Sequence, residues 1–301
     1  MKVLITGATG LVGNAIVAQC KKQSISVHYL TTSKEKIETT ENYKGFYWNP
    51  AKQEIDKSCF EGVDAIINLA GSPISKRWTK SYKQNILNSR LQSLQLLKTA
   101  IVDENIDIKQ LISASAIGIY PDSKINYYEE GASSISLGFL GEVAESWEKA
   151  ADEFSDLGMV VTKIRIGLVM DSKEGALPQM AKPIRFGVGA AFGSGLQWQS
   201  WIHKRDLAGI FLHVLEHELE GVFNGVAPNP VTNLELTKAI AKTLDKPLWL
   251  PNIPKLAMKL VLGEMHVLLF ESQRVCSKKI IDTGFVHRFV NLKPALDDLL
   301  Q

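Results

Sequence analysis

The chain opens on Met1-Lys2-Val3-Leu4-Ile5-Thr6-Gly7-Ala8-Thr9-Gly10-Leu11-Val12-Gly13, and no other stretch limits the possible folds as tightly. The apolar run Val3 to Ile5 reads as a buried strand. It halts at a glycine-rich turn and passes directly into a pattern that puts Leu11, Val12, Ala15 and Ile16 on one helix face. Strand, tight turn and helix N-terminus together make an anion site. Amides that the helix leaves unpaired point outward, and the helix dipole favours negative charge there. In such a loop Gly7 takes the strained turn, Gly10 lets a pyrophosphate approach the backbone, and Gly13 lets helix and strand pack closely. The glycine spacing alone is a weak signal; the strand-to-helix context gives it its meaning.

Composition removes other classes. At 301 residues, 45% hydrophobic and 22% charged, the chain has room for one large α/β domain or two lobes with a proper core. A formal net charge of +2 and the lack of any basic run argue against a nucleic-acid partner. Cys20, Cys59 and Cys276 are far apart and odd in number, so they read as reduced thiols of a cytoplasmic protein, with neither a disulfide frame nor a metal site. No secretory leader is expected at the strand-like start, and no apolar segment reaches the ~20 residues that span a bilayer. No membrane partner is therefore expected.

Further along, Ser26 to Leu30 reads as a second strand that ends in Thr31-Thr32-Ser33-Lys34. An acid commonly stands at that strand end to hold the ribose hydroxyls of NAD, whereas a 2′-phosphate is received by polar and cationic groups. Here no acid comes before Glu35, so NADP(H) is favoured over NAD(H). Gly45 to Trp48 reads as a third strand and Ala65 to Leu69 as a fourth, running into Asn68-Leu69-Ala70-Gly71, whose small residues let a cofactor lie close. Ile86, Leu87, Leu91, Leu94, Leu97 and Ile101 make a helical stripe between Lys80 and Glu104. Arg90 lies off that stripe, as either a surface charge or a clamp for the cofactor, and the outward face would suit a second copy in a homodimer. Gln110 to Ser113 and Val160 to Ile166 read as strands, with a helix from Phe139 to Phe154 between them. Alternating strands and helices without an internal repeat give an α/β fold, a doubly wound parallel sheet with helices on both faces.

Beyond Gly167 the glycines and prolines from Gly175 to Gly195 punctuate a long irregular stretch that ends in Trp198-Gln199-Ser200-Trp201-Ile202-His203. Trp198 and Trp201 read equally well as a substrate wall and as anchors of the loop to the core. Asp206 is expected to cap a helix to Leu215, helices follow at Asn233–Thr243 and Pro254–Leu262, and the remainder reads as irregular. The implied division is a dinucleotide-binding domain over 1–172, to which 206–228 returns. A smaller substrate-side lobe and C-terminal extension come from 173–205 and 229–301.

These residues also carry a family likeness. Thr6 to Gly13 resembles the TGxxGxxG loop of extended short-chain dehydrogenases/reductases, the NAD-dependent epimerase/dehydratase class, and Asn68 to Gly71 resembles its NxAG element. Ser89-Arg90, Ser113 to Ala116, Trp147-Glu148, Arg165 to Gly167, Gly193 to Gly195, Trp201 to His203, Asp206-Leu207 and Val226 to Pro228 are similar to one subfamily, as are Gly263 to Met265 and Gly284-Phe285. It is the group of YfcH-like and SDR39U-type proteins, named as sugar-nucleotide epimerases, with a short C-terminal extension of their own. The likeness implies a Rossmann-type domain. It also implies cofactor contacts at Gly7, Thr9, Gly10, Leu11 and Val12, at Thr31, Thr32 and Ser33, at Leu69, Ala70 and Gly71, and at Asn85, Arg90 and Val169. Relatives commonly carry an arginine at the position of Thr32; its absence here leaves Lys34 as the nearby cation for a phosphate.

Hydride-transferring members of the class use a tyrosine and a lysine one helical turn apart, with a serine that orients the substrate hydroxyl. Ser115 suits the serine. Phe139 and Val143 occupy the tyrosine and lysine spacing on the expected helix, and neither exchanges a proton. Tyr120 and Lys124 have the spacing too, but Pro121 disfavours a helix there, which leaves Tyr120 as a loop substitute with Glu142 or His203 next. With Trp198, Trp201 and His203 on the substrate side, the expectation is an NADP(H)-binding epimerase or oxidoreductase. It would act on a hydroxyl or carbonyl of a small, nucleotide-sugar-like molecule. The alternative is a sensor or regulatory protein that keeps the cofactor and has lost the chemistry.

Overall fold

Continuous apolar runs such as Val3-Leu4-Ile5 need cover on both faces, and the chain provides it with a sheet enclosed by helices. The computed structural model describes residues 1–301. Its parallel strands are β1 (Lys2–Thr6), β2 (Ser26–Thr31), β3 (Tyr43–Asn49), β4 (Ala65–Asn68), β5 (Gln110–Ala116), β6 (Val160–Ile166) and β7 (Gly221–Gly225). They lie in the order β7-β6-β5-β4-β1-β2-β3. Short antiparallel strands at Thr39–Thr40 and Glu54–Ile55 pair with β3. The chain steps outward from β1 to β3, crosses the sheet to β4, and steps outward again. The reversal opens a crevice at the carboxyl ends of β1 and β4, where sheets of this kind take ligands.

Four helices flank the sheet in two pairs: α1 (Leu11–Lys22) packs on α5 (Lys204–Glu216), and α2 (Lys80–Asp103) on α3 (Phe139–Asp152). The strand and helix expectations for this part of the chain hold to within a few residues at the ends. Two stretches expected to be irregular do not hold. Residues Ala176–Arg185 form α4 despite Pro183, because Leu177, Ala181 and Ile184 recur at helical spacing and bury one stripe. The tail continues past α6 (Asn233–Thr243) and α7 (Lys255–Leu262) through the short α8 (Val267–Phe270) and α9 (Lys278–Asp282) to α10 (Leu292–Leu300), which buries Leu292, Ala295, Leu296 and Leu299.

Two cores result. The larger fills both faces of the sheet. The smaller joins Leu177 and Ile184 of α4, Leu236 and Ile240 of α6, and the buried stripe of α10 around Trp201. The segment after α8 then threads back to the sheet: Arg274–Val275 pairs with Tyr127–Tyr128, and Ser272 bonds Asp122 and Ser123 in the loop that follows β5. No helix is long and apolar enough to cross a membrane.

Candidate functional site

The crevice is built by backbone geometry. Gly7 has φ +71°, a conformation costly for any residue with a side chain, and a Cβ there would meet the Leu69 carbonyl at 3.2 Å. At Gly13 a Cβ would lie 2.2 Å from the Gly7 carbonyl oxygen, so only glycine lets α1 start this close to the loop. Gly10 is the N-cap of α1 and offers no side-chain cap, and the first turn of the helix holds no acid. The positive end of α1 is thereby left for an outside anion.

A buried polar staple fixes the facing wall. Thr6 Oγ1 donates to Asn68 Oδ1 (2.8 Å) and accepts the amides of Leu69 and Ala70 (both 3.0 Å), while Asn68 Nδ2 donates to Ser113 Oγ (3.2 Å). The carboxyl ends of β1, β4 and β5 are tied together just below the crevice. Beyond Gly71 the chain is pinned to α2: Ser72 N donates to Ser89 Oγ, Asn85 Nδ2 to Ser72 Oγ, and Arg90 Nη1 to the Ser72 and Ile86 carbonyls. Arg90 stacks on Trp147 (4.7 Å), and burial holds its guanidinium down to about 10. Its Nε is buried without a partner. A Cβ on Gly71 would strike the guanidinium at 2.9 Å, so that glycine is what admits the arginine.

At the end of β2, Thr31 is buried and Thr32 exposed, and Lys34 lies over the Tyr47 ring at 5.0 Å. The Ser33 hydroxyl donates to Glu35 (2.6 Å), which holds that carboxyl below its ordinary range. Val169 lies in a short strand, Leu168–Met170, that pairs with Trp201–His203 and packs against the large core.

The expected proton-transfer side differs from the sequence reading. Ser115 Oγ donates to Glu148 Oε1 (2.6 Å), and Arg165 grips both oxygens of that carboxylate through Nε (2.8 Å) and Nη2 (2.9 Å). Arg165 Nη1 also donates to Tyr120 Oη (3.0 Å), which donates to Asn224 Oδ1 (2.8 Å). Ser115 is 2% exposed and Tyr120 1%. The Tyr120 phenol is therefore inside a closed network, stacked on Tyr128, with burial pushing its pKa up. An acid–base tyrosine needs the opposite shift and an open face. Here Tyr120 joins a buried hydrogen-bond network and presents no open face, unlike the loop acid–base group expected of it.

Trp201 takes the second of its two expected places, an anchor to the core, and His203 is buried with it. Trp201 is fully buried in the smaller core, with Nε1 donating to the Asn229 carbonyl (2.9 Å). His203, also fully buried, stacks on Phe289 (4.0 Å) and accepts the Arg205 amide at Nδ1, so it is the N-cap of α5. Asp206, expected as that cap, instead accepts the amides of Arg288 (3.0 Å) and Phe289 (2.9 Å). The motif Trp201-Ile202-His203 thus receives the C-terminal tail. Trp198 is half-buried, with Arg274 over its ring at 4.4 Å and its Nε1 on the Lys124 carbonyl.

One residue that the sequence did not single out stands beside the start of α3. Glu271 Oε1 would lie 3.9 Å from a Cβ on Gly138, the residue before Phe139, and burial raises the Glu271 carboxyl above its ordinary range. Gln273 Nε2 donates to its other oxygen at 3.3 Å. The segment that carries it is far away in sequence, and no local pattern marks it.

Comparison with known proteins agrees with this geometry. Residues 3–137 match the NAD dependent epimerase/dehydratase family, and residues 253–299 match a domain of unknown function, DUF1731. An epimerase family protein of Staphylococcus aureus is 37% identical over 300 residues, covering 99% of this chain and 98% of that one. The crystal structure of human epimerase family protein SDR39U1 with NADPH superposes with a TM-score of 0.85 at 28% identity, covering 99% of both chains. UDP-N-acetylglucosamine 4-epimerase from Bacillus cereus shares the fold, with a TM-score of 0.79 at 19% identity over 99% of this chain and 97% of that one. A glycine cradle at the sheet's switch point, the NxAG wall and a C-terminal segment folded back to the sheet all lead to one family: the chain belongs to the NAD-dependent epimerase/dehydratase family.

Proposed function

We propose that this chain binds NADP(H) and acts as an oxidoreductase or epimerase on a hydroxyl or carbonyl carbon of a small, nucleotide-sugar-like molecule. The observation that carries the reading is the uncapped, acid-free N-terminus of α1 set against Gly7 and Gly10 at the switch point. Gly7, Thr9, Gly10, Leu11 and Val12 line the pyrophosphate, and Leu69, Ala70 and Gly71 lie beneath the cofactor. Asn85 and Arg90 hold the wall around Ser72, and Val169 closes the far side. Thr31, Thr32 and Ser33 receive the adenosine ribose. Support for the 2′-phosphate comes from Lys34 and from the missing acid at the end of β2, and SDR39U1, a relative similar over its whole length, was crystallised with NADPH. The dinucleotide, when bound, gives or takes a hydride at its nicotinamide ring.

The protein's own part is the proton. With Phe139 and Val143 on α3, the acids near that helix start are Glu142, exposed in its first turn, and the part-buried Glu271 beside Gly138, and we assign the proton to Glu271. Protonated, it gives its proton to the carbonyl oxygen as hydride reaches the carbon; ionised, it takes the proton back from the hydroxyl in the reverse direction. A second reading, a sensor that keeps the cofactor without turnover, draws on the burial of Ser115 and Tyr120.

Calorimetry with NADPH and NADH on the parent and on Gly10→Asp tests the cradle. NADPH should bind the tighter of the two, and Gly10→Asp should weaken it by about a hundredfold through like-charge repulsion. Equal affinity in parent and variant would remove the pyrophosphate from α1. Turnover on a panel of nucleotide-sugar and small carbonyl substrates, lost in Glu271→Gln while NADPH still binds, supports the enzyme. NADPH binding without turnover on any panel member supports the sensor.

A further inference from the structure

One edge of the smaller lobe is apolar without being packed. α7 buries none of its residues, and Leu256, Leu260 and Val261 are 69%, 77% and 68% exposed. It is held at its C-terminal end, where Leu262 packs against the cluster of Trp78, Ile86, Val143 and Met265. Trp249, just before it, is 69% exposed, and Phe186 and Val188, just after α4, are 75% and 51% exposed. Backbone pairing links the two stretches. Phe192 and Ile253 form a parallel bridge, with Ile253 N donating to the Ala191 carbonyl (2.8 Å) and Gly193 N to the Ile253 carbonyl (2.9 Å). That pairing ties the segment that follows Val188 to the segment that follows Trp249.

The charge on this edge is mostly positive, with Asp245 at one end and Glu264, paired with Lys83, at the other. Lys182 and Arg185 end α4, Lys246 precedes Trp249, and Lys255 and Lys259 alternate with the exposed leucines of α7. No Asp or Glu occurs from Gly175 to Arg205, nor from Lys246 to Gly263. The chain as a whole is close to neutral, at +2, so this edge concentrates cations that the rest of the surface balances. A second copy seated on the patch would oppose the same lysines to one another. An anionic, deformable partner would satisfy both the cations and the apolar side chains.

We infer that α7, with Trp249 and the Phe186–Val188 turn, is a docking surface for an anionic lipid bilayer. The apolar side chains enter the headgroup boundary and the flanking lysines and arginine stay at the phosphates. A tryptophan at the rim and leucines spaced one turn apart are the side chains that such an interface takes. The inference departs from the sequence expectation of no membrane partner, because that expectation weighed only bilayer-spanning segments. It does not depend on the cofactor reading.

Co-sedimentation of the full chain with vesicles tests it, using phosphatidylcholine alone and phosphatidylcholine with roughly one-third phosphatidylglycerol. The chain should sediment with the anionic vesicles and stay in solution with the neutral ones, and added salt should weaken the association. Leu256→Glu with Leu260→Glu should reduce it about tenfold or more, and Lys255→Gln with Lys259→Gln should reduce the preference for phosphatidylglycerol. Both pairs are solvent-exposed, so NADPH affinity and melting temperature, measured alongside, should stay at the parent values. Equal sedimentation with both vesicle types, none with either, or no response to the leucine pair would overturn the proposal. So would a dimer of the parent chain that Leu256→Glu with Leu260→Glu converts to monomer, which would give the patch to a second copy.

Discussion

Two polar constellations face each other across the carboxyl ends of the strands, and they are built on opposite terms. At α1 the donors are left over, since the N-cap is a glycine and the first turn holds no acid, and on α2 Arg90 keeps a buried Nε without a partner. Between β5, α3 and β6 the donors are used up, with Ser115, Glu148, Arg165, Tyr120 and Asn224 bonded to one another and sealed from solvent. Unspent hydrogen-bonding capacity marks a place for a ligand; a closed circuit marks a joint. Both contain residue types that catalysis favours, so residue type does not separate them. Satisfaction does.

Exchanging the consequences of mutation is the sharpest way to break that contrast. Glu148→Ala should have the largest effect on the fold. It leaves the Arg165 guanidinium buried and frees the Ser115 hydroxyl, and removing one member of a buried pair costs about 3–5 kcal/mol. Urea denaturation should show that loss, with NADPH affinity of the surviving folded protein within about twofold of the parent. Gly10→Asp should behave in the opposite way, because aspartate is a good N-cap and α1 gains where the cofactor loses. A Glu148→Ala protein that keeps its stability and loses cofactor would reverse the roles assigned here.

Tyr120→Phe is smaller and separates the two readings of that tyrosine. Without the phenol, Asn224 Oδ1 and Arg165 Nη1 each lose a buried partner, at about 1–3 kcal/mol in total. Cofactor binding, and any turnover found on the panel, should fall no further than that lost stability explains. A rate that collapses at full stability would return Tyr120 to the chemistry.

How much of this could be read in the sequence follows from the range of the interactions involved. The cradle is local: strand, turn and helix lie within thirteen consecutive positions, and each glycine answers to a neighbour in that window or to Leu69. The parallel, doubly wound sheet follows from the alternation of elements, while the order of its strands does not. The burial of Tyr120, Trp201 and His203 was not legible because what covers them comes from far along the chain. Asn224 meets Tyr120, Asn229 meets Trp201, and Phe289 lies on His203. Glu271 was missed for the converse reason, since only the return of the tail to the loop after β5 brings it beside Gly138. α4 was hidden by Pro178 and Pro183 and by the glycines that flank it, although its apolar spacing was there to be counted.

The smallest effect concerns the tail latch and its response to acid. Burial, ahead of every other influence, lowers the pKa of His28, His203 and His287, so all three stay neutral in the fold at a pH where the unfolded chain takes up protons. For His203 this holds although Asp298 Oδ2 lies 3.3 Å from Nε2 and pulls the other way; a fully buried ring stacked on Phe289 has too little solvation left for its cation. Above the ordinary histidine value of about 6.5 neither state binds the proton and stability is flat in pH. Below it the unfolded state binds more protons, and stability should fall by up to about 1.4 kcal/mol per pH unit for each such histidine. Denaturation at about pH 7 and about pH 5.5 reads that slope. His203→Asn keeps an acceptor for the Arg205 amide and removes the titrating ring. It should therefore start about 1 kcal/mol lower at neutral pH, for the lost stacking on Phe289, and descend less steeply. An unchanged slope would mean that His203 already carries its proton in the fold, paired with Asp298, and that the tail is held by an ion pair and not by a neutral stack.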